Sequence, residues 1–250
     1  MISENELKRL TRLKQKKYRL QEKRFLLEGV RLVEEALYAG ATEAILFLPE
    51  KQLQDRIAAL LNAAEKANIS IKEIDQRSLK DLKETVAQQG VVAVARIPDN
   101  LELRTLKGNW LYLDQIRDPG NLGTILRTAD WFGVTNVALS PGTVDPYNSK
   151  VVRGAMGAHF HLKIRTETNL PPFVSVGYTV LAADSLGEPM KKIEQLHGKW
   201  CLVMGSEASG ISEENRPHIN HFVSIPGSGG AESLNVAVAA GIFLNQLTGR

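Results

Sequence analysis

The sequence predicts two α/β domains, and three observations predict them. Short apolar runs alternate with helical periods along most of the chain, the runs of the second half are continuously apolar, and a stretch without clear period lies between the halves. With 250 residues, of which 43% are hydrophobic, the chain can build two domains that each bury a core. The boundaries read as 1–97 for the first domain, 98–107 for the linker and 108–250 for the second.

The first domain opens on a positive strip. Lys8, Arg9, Arg12, Lys14, Lys16, Lys17, Arg19, Lys23 and Arg24 surround a single acid, Glu22. On a helix Leu7, Leu10, Leu13 and Lys14 share one side, so the segment can dock a narrow apolar stripe and present cations to a phosphate backbone. The plainer reading is a solvated helix face. The run Phe25 to Gly29 precedes a helical pattern in Val30, Leu32, Val33, Ala36 and Leu37, which Gly40 ends. Ala44 to Leu48 reads as a strand closed by Pro49, Leu53 to Ala67 as a helix, and Ile69 to Ile74 as a strand. Ser78 to Thr85 reads as a short helix with Ser78 as its N-cap, and Gly90 to Arg96 as the last strand. The linker is Ile97-Pro98-Asp99-Asn100, followed by the polar stretch from Glu102 to Asn109.

The second domain repeats the theme with longer elements. Its candidate strands are Trp110 to Leu113, Asn136 to Leu139, Tyr178 to Ala182, Trp200 to Met204 and Phe222 to Ile225. Strands of this composition, separated by helices, imply a mainly parallel sheet covered on both faces, and ligands of such sheets bind beyond the carboxyl ends of the strands. The tryptophans Trp110, Trp131 and Trp200 are expected in the core. His159 and His161 alternate with Phe160 and Leu162 and read as strand surface rather than as metal ligands, and no metal is expected.

Charge and cysteine narrow the setting. A net charge of +3 is only mildly basic, so its concentration near the N-terminus matters more than its sum. The single cysteine, Cys201, sits in an apolar run and builds neither a disulfide framework nor a cysteine metal site, which favours a reducing compartment. Met1 to Glu6 lacks the order of a signal peptide, and no apolar run reaches the roughly 20 residues of a membrane span. A cytoplasmic protein is expected.

Three segments follow strand ends and are rich in glycine and small polar residues. In the first, Asp118-Pro119-Gly120-Asn121 is a turn signal, and Leu122, Ile125, Leu126 and Ala129 give the following helix its buried face. Asn121 and Arg127 lie about 120° apart around a regular helix, so they converge only if Asn121 stands at or before its start. Asn121 reads equally as an N-cap and Arg127 as an exposed helix residue. The second, Gly205 to Ser212, leaves a strand, turns through two glycines with Glu207 between them, and is expected to enter a helix at Ser212. Gly205 is expected to let backbone amides approach a ligand. The third runs from Ile225-Pro226 through Gly227-Ser228-Gly229-Gly230-Ala231 to Ser233 and Asn235, at the start of a helix whose stripe is Val236, Ala239, Ala240, Phe243, Leu244 and Leu247. The Gly-Lys-Ser/Thr ending of a phosphate-binding P-loop is absent, as is a Gly-x-Gly-x-x-Gly fingerprint.

In this order the segments resemble the SpoU/TrmH family of the SPOUT methyltransferase superfamily. The first motif is Asn121-Leu122-Gly123 through Arg127-Thr128-Ala129, the second Gly205-Ser206-Glu207 with Gly210-Ile211, and the third Ile225-Pro226 with Ser233-Leu234-Asn235-Val236. Lys150 to Ala158 also looks like the family's intermediate stretch, and the front domain looks like its substrate-binding domain. The resemblance implies a sheet with a deep C-terminal trefoil knot and a homodimer whose site draws on both subunits. It implies S-adenosyl-L-methionine held by backbone at Gly205, Ile225 and Leu234, with the strand end near Leu181 closing the adenine pocket. It also implies methylation of an RNA ribose 2′-hydroxyl: Arg127 acts on that hydroxyl, while Asn121, Glu207, Ser233 and Asn235 position it or organise the site. Lys8, Arg9, Arg12, Lys16, Lys17, Arg19 and Arg153 are the candidate RNA contacts. A guanidinium stays protonated, so Arg127 is expected to bind the neighbouring phosphate and stabilise a developing alkoxide rather than act as a base. The glycines after Pro226, where the family often has a methionine and bulkier residues, predict a mobile loop. The two-domain layout favours large-subunit ribosomal RNA over transfer RNA; the rivals are a base methyltransferase and a non-catalytic assembly factor that keeps the knot.

Overall fold

The computed structural model describes residues 2–84, 89–100, 102, 107–190 and 198–249. Two compact units emerge. The first comprises Met1–Asp99 with Tyr147–Phe160, the second Asn100–Pro146 with His161–Arg250. Thr85, Leu101 and Leu103 to Leu106 lie outside the described residues.

The first unit is built on a four-stranded mixed sheet of β1 (Arg24–Glu28), β2 (Thr42–Phe47), β3 (Ser70–Glu73) and β4 (Val91–Arg96), in the order β1-β4-β2-β3. β4 is antiparallel to both β1 and β2, and β3 runs parallel to β2. β4 reads Val-Val-Ala-Val-Ala because it is covered twice. Val91, Ala93 and Ala95 join Phe25, Leu27, Ile45 and Phe47 under residues of α3 (Val30–Tyr38) and α4 (Asp55–Lys66). Val92 and Val94 face the other way, with Leu46 and Leu48, onto Leu10 and Leu13 at the front and onto Leu79 and Leu82 of α5 (Gln76–Leu82). Tyr147 and Val152 complete the first of these cores. The Phe25 and Tyr147 rings pack in a tilted arrangement with centroids 5.0 Å apart, and α7 (Ser149–Ala155) packs on β1.

Several expectations change here. β1 is a strand where only a lead-in to α3 was expected, its inward residues being Phe25 and Leu27. The basic strip is two helices, α1 (Glu4–Arg12) and α2 (Lys16–Glu22), separated by Leu13 to Gln15. Ser78 does not cap α5: the Asp75 carboxylate does, accepting from the Ser78 amide at 2.7 Å, and that bond holds the carboxyl below its ordinary range. Leu53 is 93% exposed and precedes α4. His159 is buried beside Phe25 and Tyr147 instead of lying on a strand surface.

The second unit carries a six-stranded sheet in the order β10-β8-β9-β5-β6-β7, parallel throughout. Its strands are β5 (Trp110–Leu113), β6 (Asn136–Leu139), β7 (Lys163–Arg165), β8 (Thr179–Pro189), β9 (Trp200–Met204) and β10 (His221–Ser224). Trp110, Tyr112, Ala138, Val180, Ala182, Cys201 and Val203 present one face to Phe173 of α8 (Pro171–Ser175) and to Tyr178. The alternate residues Leu111, Leu113, Val137, Leu139, Leu181, Leu202 and Met204 are equally buried, so both faces are covered. The buried polar tips are paired: Trp110 Nε1 donates to the Tyr178 hydroxyl, and the Tyr112 hydroxyl donates to the Thr168 carbonyl. α6 (Pro119–Trp131) packs against α9 (Val236–Thr248).

Trp131 contradicts its expected burial. It is 82% exposed, because two residues past Ala129 the helix has turned it away from the Leu122, Ile125, Leu126 and Ala129 stripe. No helix starts at Ser212; Arg216–His218 forms a single 3-10 turn before β10, with the Arg216 guanidinium over the Phe222 ring. His161 is exposed and pairs with Asp130 at 3.0 Å. Among the described residues no helix is long and apolar enough to cross a membrane.

Candidate active site

All three glycine-rich segments lie in the second unit, at the carboxyl ends of β5, β9 and β10. The loop after β5 is tied down on both sides. The Asp114 amide donates to the Met204 carbonyl at 2.8 Å, and the buried Asp114 carboxylate accepts from the Ser212 amide at 2.8 Å. On the other side the Gln115 amide donates to Ser140 Oγ, and the Val144 amide to the Ile116 carbonyl.

Asp118, not Asn121, caps α6: its Oδ1 accepts from the Asn121 amide at 2.8 Å, and Pro119 takes the first helical position, where no amide is needed. Asn121 is thereby placed in the first turn with its side chain available. Asn235 caps α9, its Oδ1 accepting from Ala237 at 2.9 Å and from Val238 at 3.4 Å. That cap decides how its amide points. The oxygen is taken by the helix, so the Asn235 amide group donates outward to Asn121 Oδ1 at 3.0 Å. Asn121 in turn must present its own amide group, which donates to Glu207 Oε1. Helix N-terminus, Asn235, Asn121 and Glu207 form one directional chain of donors, and its members come from all three segments.

Glu207 is presented by a tight turn. Ser206 and Gly210 exchange backbone hydrogen bonds, Gly210 takes a φ of +64°, and Ile211 anchors the end of the turn in the core. A Cβ at Gly205 would fall on the Gly210 carbonyl and 2.7 Å from the Ile211 amide nitrogen. The closure of this loop therefore requires a glycine at 205.

The remaining expected residues are placed as follows. Arg127 is exposed on α6, with no carboxylate in ion-pair range among the described residues. Ser233 is exposed two residues before the Asn235 cap, and Leu234 is 47% exposed. Ile225 is half-buried just beyond β10. Leu181 is fully buried in mid-strand, paired with Leu202 and His221, and β8 continues past it through a register shift. It is not at a strand end. From Gly227 to Leu234 the described residues show no backbone hydrogen bond, and nothing crowds Gly227, Gly229 or Gly230.

In the first unit the expected cations separate. Lys8, Arg12, Lys16 and Lys17 are exposed, with Arg12 and Lys17 over the Tyr18 ring. Arg9 is engaged by Glu22 at 2.8 Å. Arg19 is turned inward, 4% exposed, donating to the Leu13 and Lys14 carbonyls, and so is not a surface cation. Arg153 is half-buried with Glu28 at 3.8 Å.

Residues 108–245 match the model of the SpoU rRNA Methylase family. The chain belongs to that family. Residues 4–93 match the MRM3-like substrate binding domain, so this SpoU-family member carries a recognised substrate-binding module in front. A Bacillus subtilis relative, 23S rRNA (guanosine(2553)-2'-O)-methyltransferase RlmP, is 34% identical over 95% of this chain and 94% of its own. Human mitochondrial rRNA methyltransferase 3 is 31% identical over 71% of the chain and 44% of its own length. Among solved structures, a TrmH-family RNA methyltransferase from Porphyromonas gingivalis, described as putative, superposes with a TM-score of 0.86 at 34% identity over 98% of both chains. An AdoMet-bound rRNA methyltransferase from Sinorhizobium meliloti superposes with a TM-score of 0.84 at 28% identity, over 98% of this chain and 95% of its own. The Asn121, Glu207 and Asn235 chain is therefore found in a SpoU-family transferase domain, beyond strand ends where ligands of such sheets bind.

Proposed function

We propose that this protein transfers a methyl group from S-adenosylmethionine to a ribose 2′-hydroxyl of ribosomal RNA, large-subunit RNA before transfer RNA. The observation that carries the reading is the donor chain from Asn235 through Asn121 to Glu207, which joins residues 114 positions apart. The activity named for the Bacillus relative, matched along nearly its whole length, supports the RNA class.

The loops after β9 and β10 suit the cofactor. Peptide groups from Gly227 to Leu234 have no backbone partner among the described residues, and half-exposed Leu234 adds an apolar wall; an adenosine needs both. Gly205, Ile225 and Leu234 would hold it by their backbone, with Leu181 packed in the sheet beneath. Bound there, S-adenosylmethionine supplies an electrophilic methyl on a positively charged sulfur.

In-line displacement by a hydroxyl depends first on alignment and then on handling charge at the oxygen as its proton leaves. Arg127, exposed and without an ion pair among the described residues, binds the phosphate beside the target ribose and stabilises the developing alkoxide. Asn121, Asn235 and Ser233 fix the position of the ribose, and Glu207, oriented by the Asn121 amide, organises the site around it.

Residues 1–97 select the RNA, 98–107 link, and 108–250 carry the transfer chemistry. Lys8, Arg12, Lys16 and Lys17 contact the phosphate backbone, while Arg9 and Arg153 contribute after leaving their carboxylate partners. The C-terminal segment forms a trefoil knot, a reading supported by the return of the chain from β10 at one sheet edge to pack α9 on α6. The protein works in the cytoplasm as a homodimer, and exposed Trp131 on α6 and Val238 on α9, 82% and 52% exposed, support a second copy covering these helices. The test is incubation with tritium-methyl cofactor and a large-subunit ribosomal RNA transcript, then digestion. The reading expects label in an alkali-resistant 2′-O-methyl dinucleotide; label on a base contradicts it.

A further inference from the structure

We infer that Arg117 is a positioning residue of the transferase unit that grips an RNA phosphate beside the nucleotide being methylated, an inference resting on the RNA reading above. Arg117 lies between β5 and α6, four residues before Asn121, and is exposed. The loop residues on both sides of it are fixed by hydrogen bonds. Asp114 is bonded to Met204 and Ser212, Gln115 to Ser140, Ile116 to Val144, and Asp118 to the first turn of α6. Gln115, with a φ of +54°, sits in the left-handed region that only a well-anchored loop imposes on such a residue. A long side chain mounted on so rigid a base is delivered to a defined place.

Among the described residues Arg117 has no ion-pair partner, and its guanidinium meets only the neutral Gln115 side chain, at 3.4 Å. Arg117 also stands just ahead of the N-terminus of α6, whose capping carboxylate, Asp118, is turned to the helix amide of Asn121. An incoming anion supplies the missing ion-pair partner. On an RNA substrate that anion is a backbone phosphate, which matches the planar fork of a guanidinium. Arg127 is eight residues beyond Pro119, about 12 Å along the helix axis, so the two arginines address different phosphates.

The full-length protein is assayed with an in vitro large-subunit ribosomal RNA transcript across a salt series. Arg117→Gln is expected to raise KM for RNA about tenfold, leaving kcat and KM for S-adenosylmethionine within about twofold. The slope of log KM against log salt becomes shallower by roughly 0.7–0.9, one phosphate contact. Arg117→Lys restores the slope but only part of the KM, because an ammonium does not reproduce the fork. A merely structural role moves the cofactor KM and the thermal midpoint and leaves the salt slope alone; that result overturns the inference. Wild-type KM and slope in Arg117→Gln overturn it while the RNA reading stands, whereas wild-type protein that fails to methylate any ribosomal or transfer RNA transcript overturns both.

Discussion

Replacing Asn235 by aspartate separates its two duties. Its Oδ1 caps α9 through Ala237 and Val238, and its amide group orients Asn121 at 3.0 Å. Aspartate keeps the cap, since a carboxylate is as good an N-cap as an amide and gains about 0.3–1 kcal/mol from the helix dipole. It has no donor for Asn121 Oδ1. Two oxygens then face each other, the Asn121 amide turns over, and its oxygen is set against the Glu207 carboxylate. A hydrogen bond to a charged group contributes about 1.5–3 kcal/mol, and solvent at this exposed site places the loss near the lower end. The single-turnover rate at saturating cofactor is expected to fall roughly 10- to 30-fold. The thermal midpoint holds or rises slightly. Asn235→Ala loses cap and relay together, so its midpoint also drops, by about 2–4 °C per kcal/mol of cap. Wild-type turnover in Asn235→Asp refutes the directional chain of donors.

Three further outcomes are expected. Gly205→Ala sets a Cβ on the Gly210 carbonyl and should destabilise the protein by about 1–3 kcal/mol while displacing Glu207; wild-type melting and turnover together contradict the tight turn. Arg127→Lys should lower single-turnover methyl transfer about tenfold or more at unchanged cofactor affinity by calorimetry, and near-normal turnover contradicts its role. Burial raises the Cys201 thiol and the Tyr112 phenol, so the fold favours their neutral forms. Their contribution is intact below the unfolded values of about 8.5 and 10 and is lost as pH rises toward the folded ones, so the thermal midpoint should fall above about pH 9, less steeply in Cys201→Ala. A flat midpoint from pH 7 to 10.5 contradicts that.

Most of the second unit was legible because its strands are short, apolar and separated by clear turn signals. β5, β6 and β9 fall where their composition places them. β7 escapes because Lys163–Arg165 is too short to show a period, and β1 because Arg24 and Glu28 bracket its Phe25 and Leu27 alternation. Trp131 was legible after all: nine positions beyond Leu122 on a regular helix is the opposite side. Arg19 was not, since its buried guanidinium is satisfied by carbonyls of the turn between α1 and α2, whose course depends on tertiary packing. Nor does anything local mark Tyr147–Phe160 as part of the first unit; Tyr147 meets Phe25 across more than a hundred residues.

The site was legible as residue types but not as an arrangement. Resemblance singled out Asn121, Glu207 and Asn235, yet the direction of each amide follows from which helix is capped by which side chain. The Asp118 cap frees Asn121, and the Asn235 cap turns its amide group outward. Arg117 carried no motif signal, because what distinguishes it is the anchoring of its neighbours by Ser140, Val144 and Met204.

The central claim is ribose methylation of large-subunit ribosomal RNA by this site. Ribose-methyl mapping of large-subunit RNA from a strain lacking the gene should show one 2′-O-methyl group missing, restored by the wild-type chain and not by Arg127→Ala. An unchanged methylation pattern in that RNA contradicts the account.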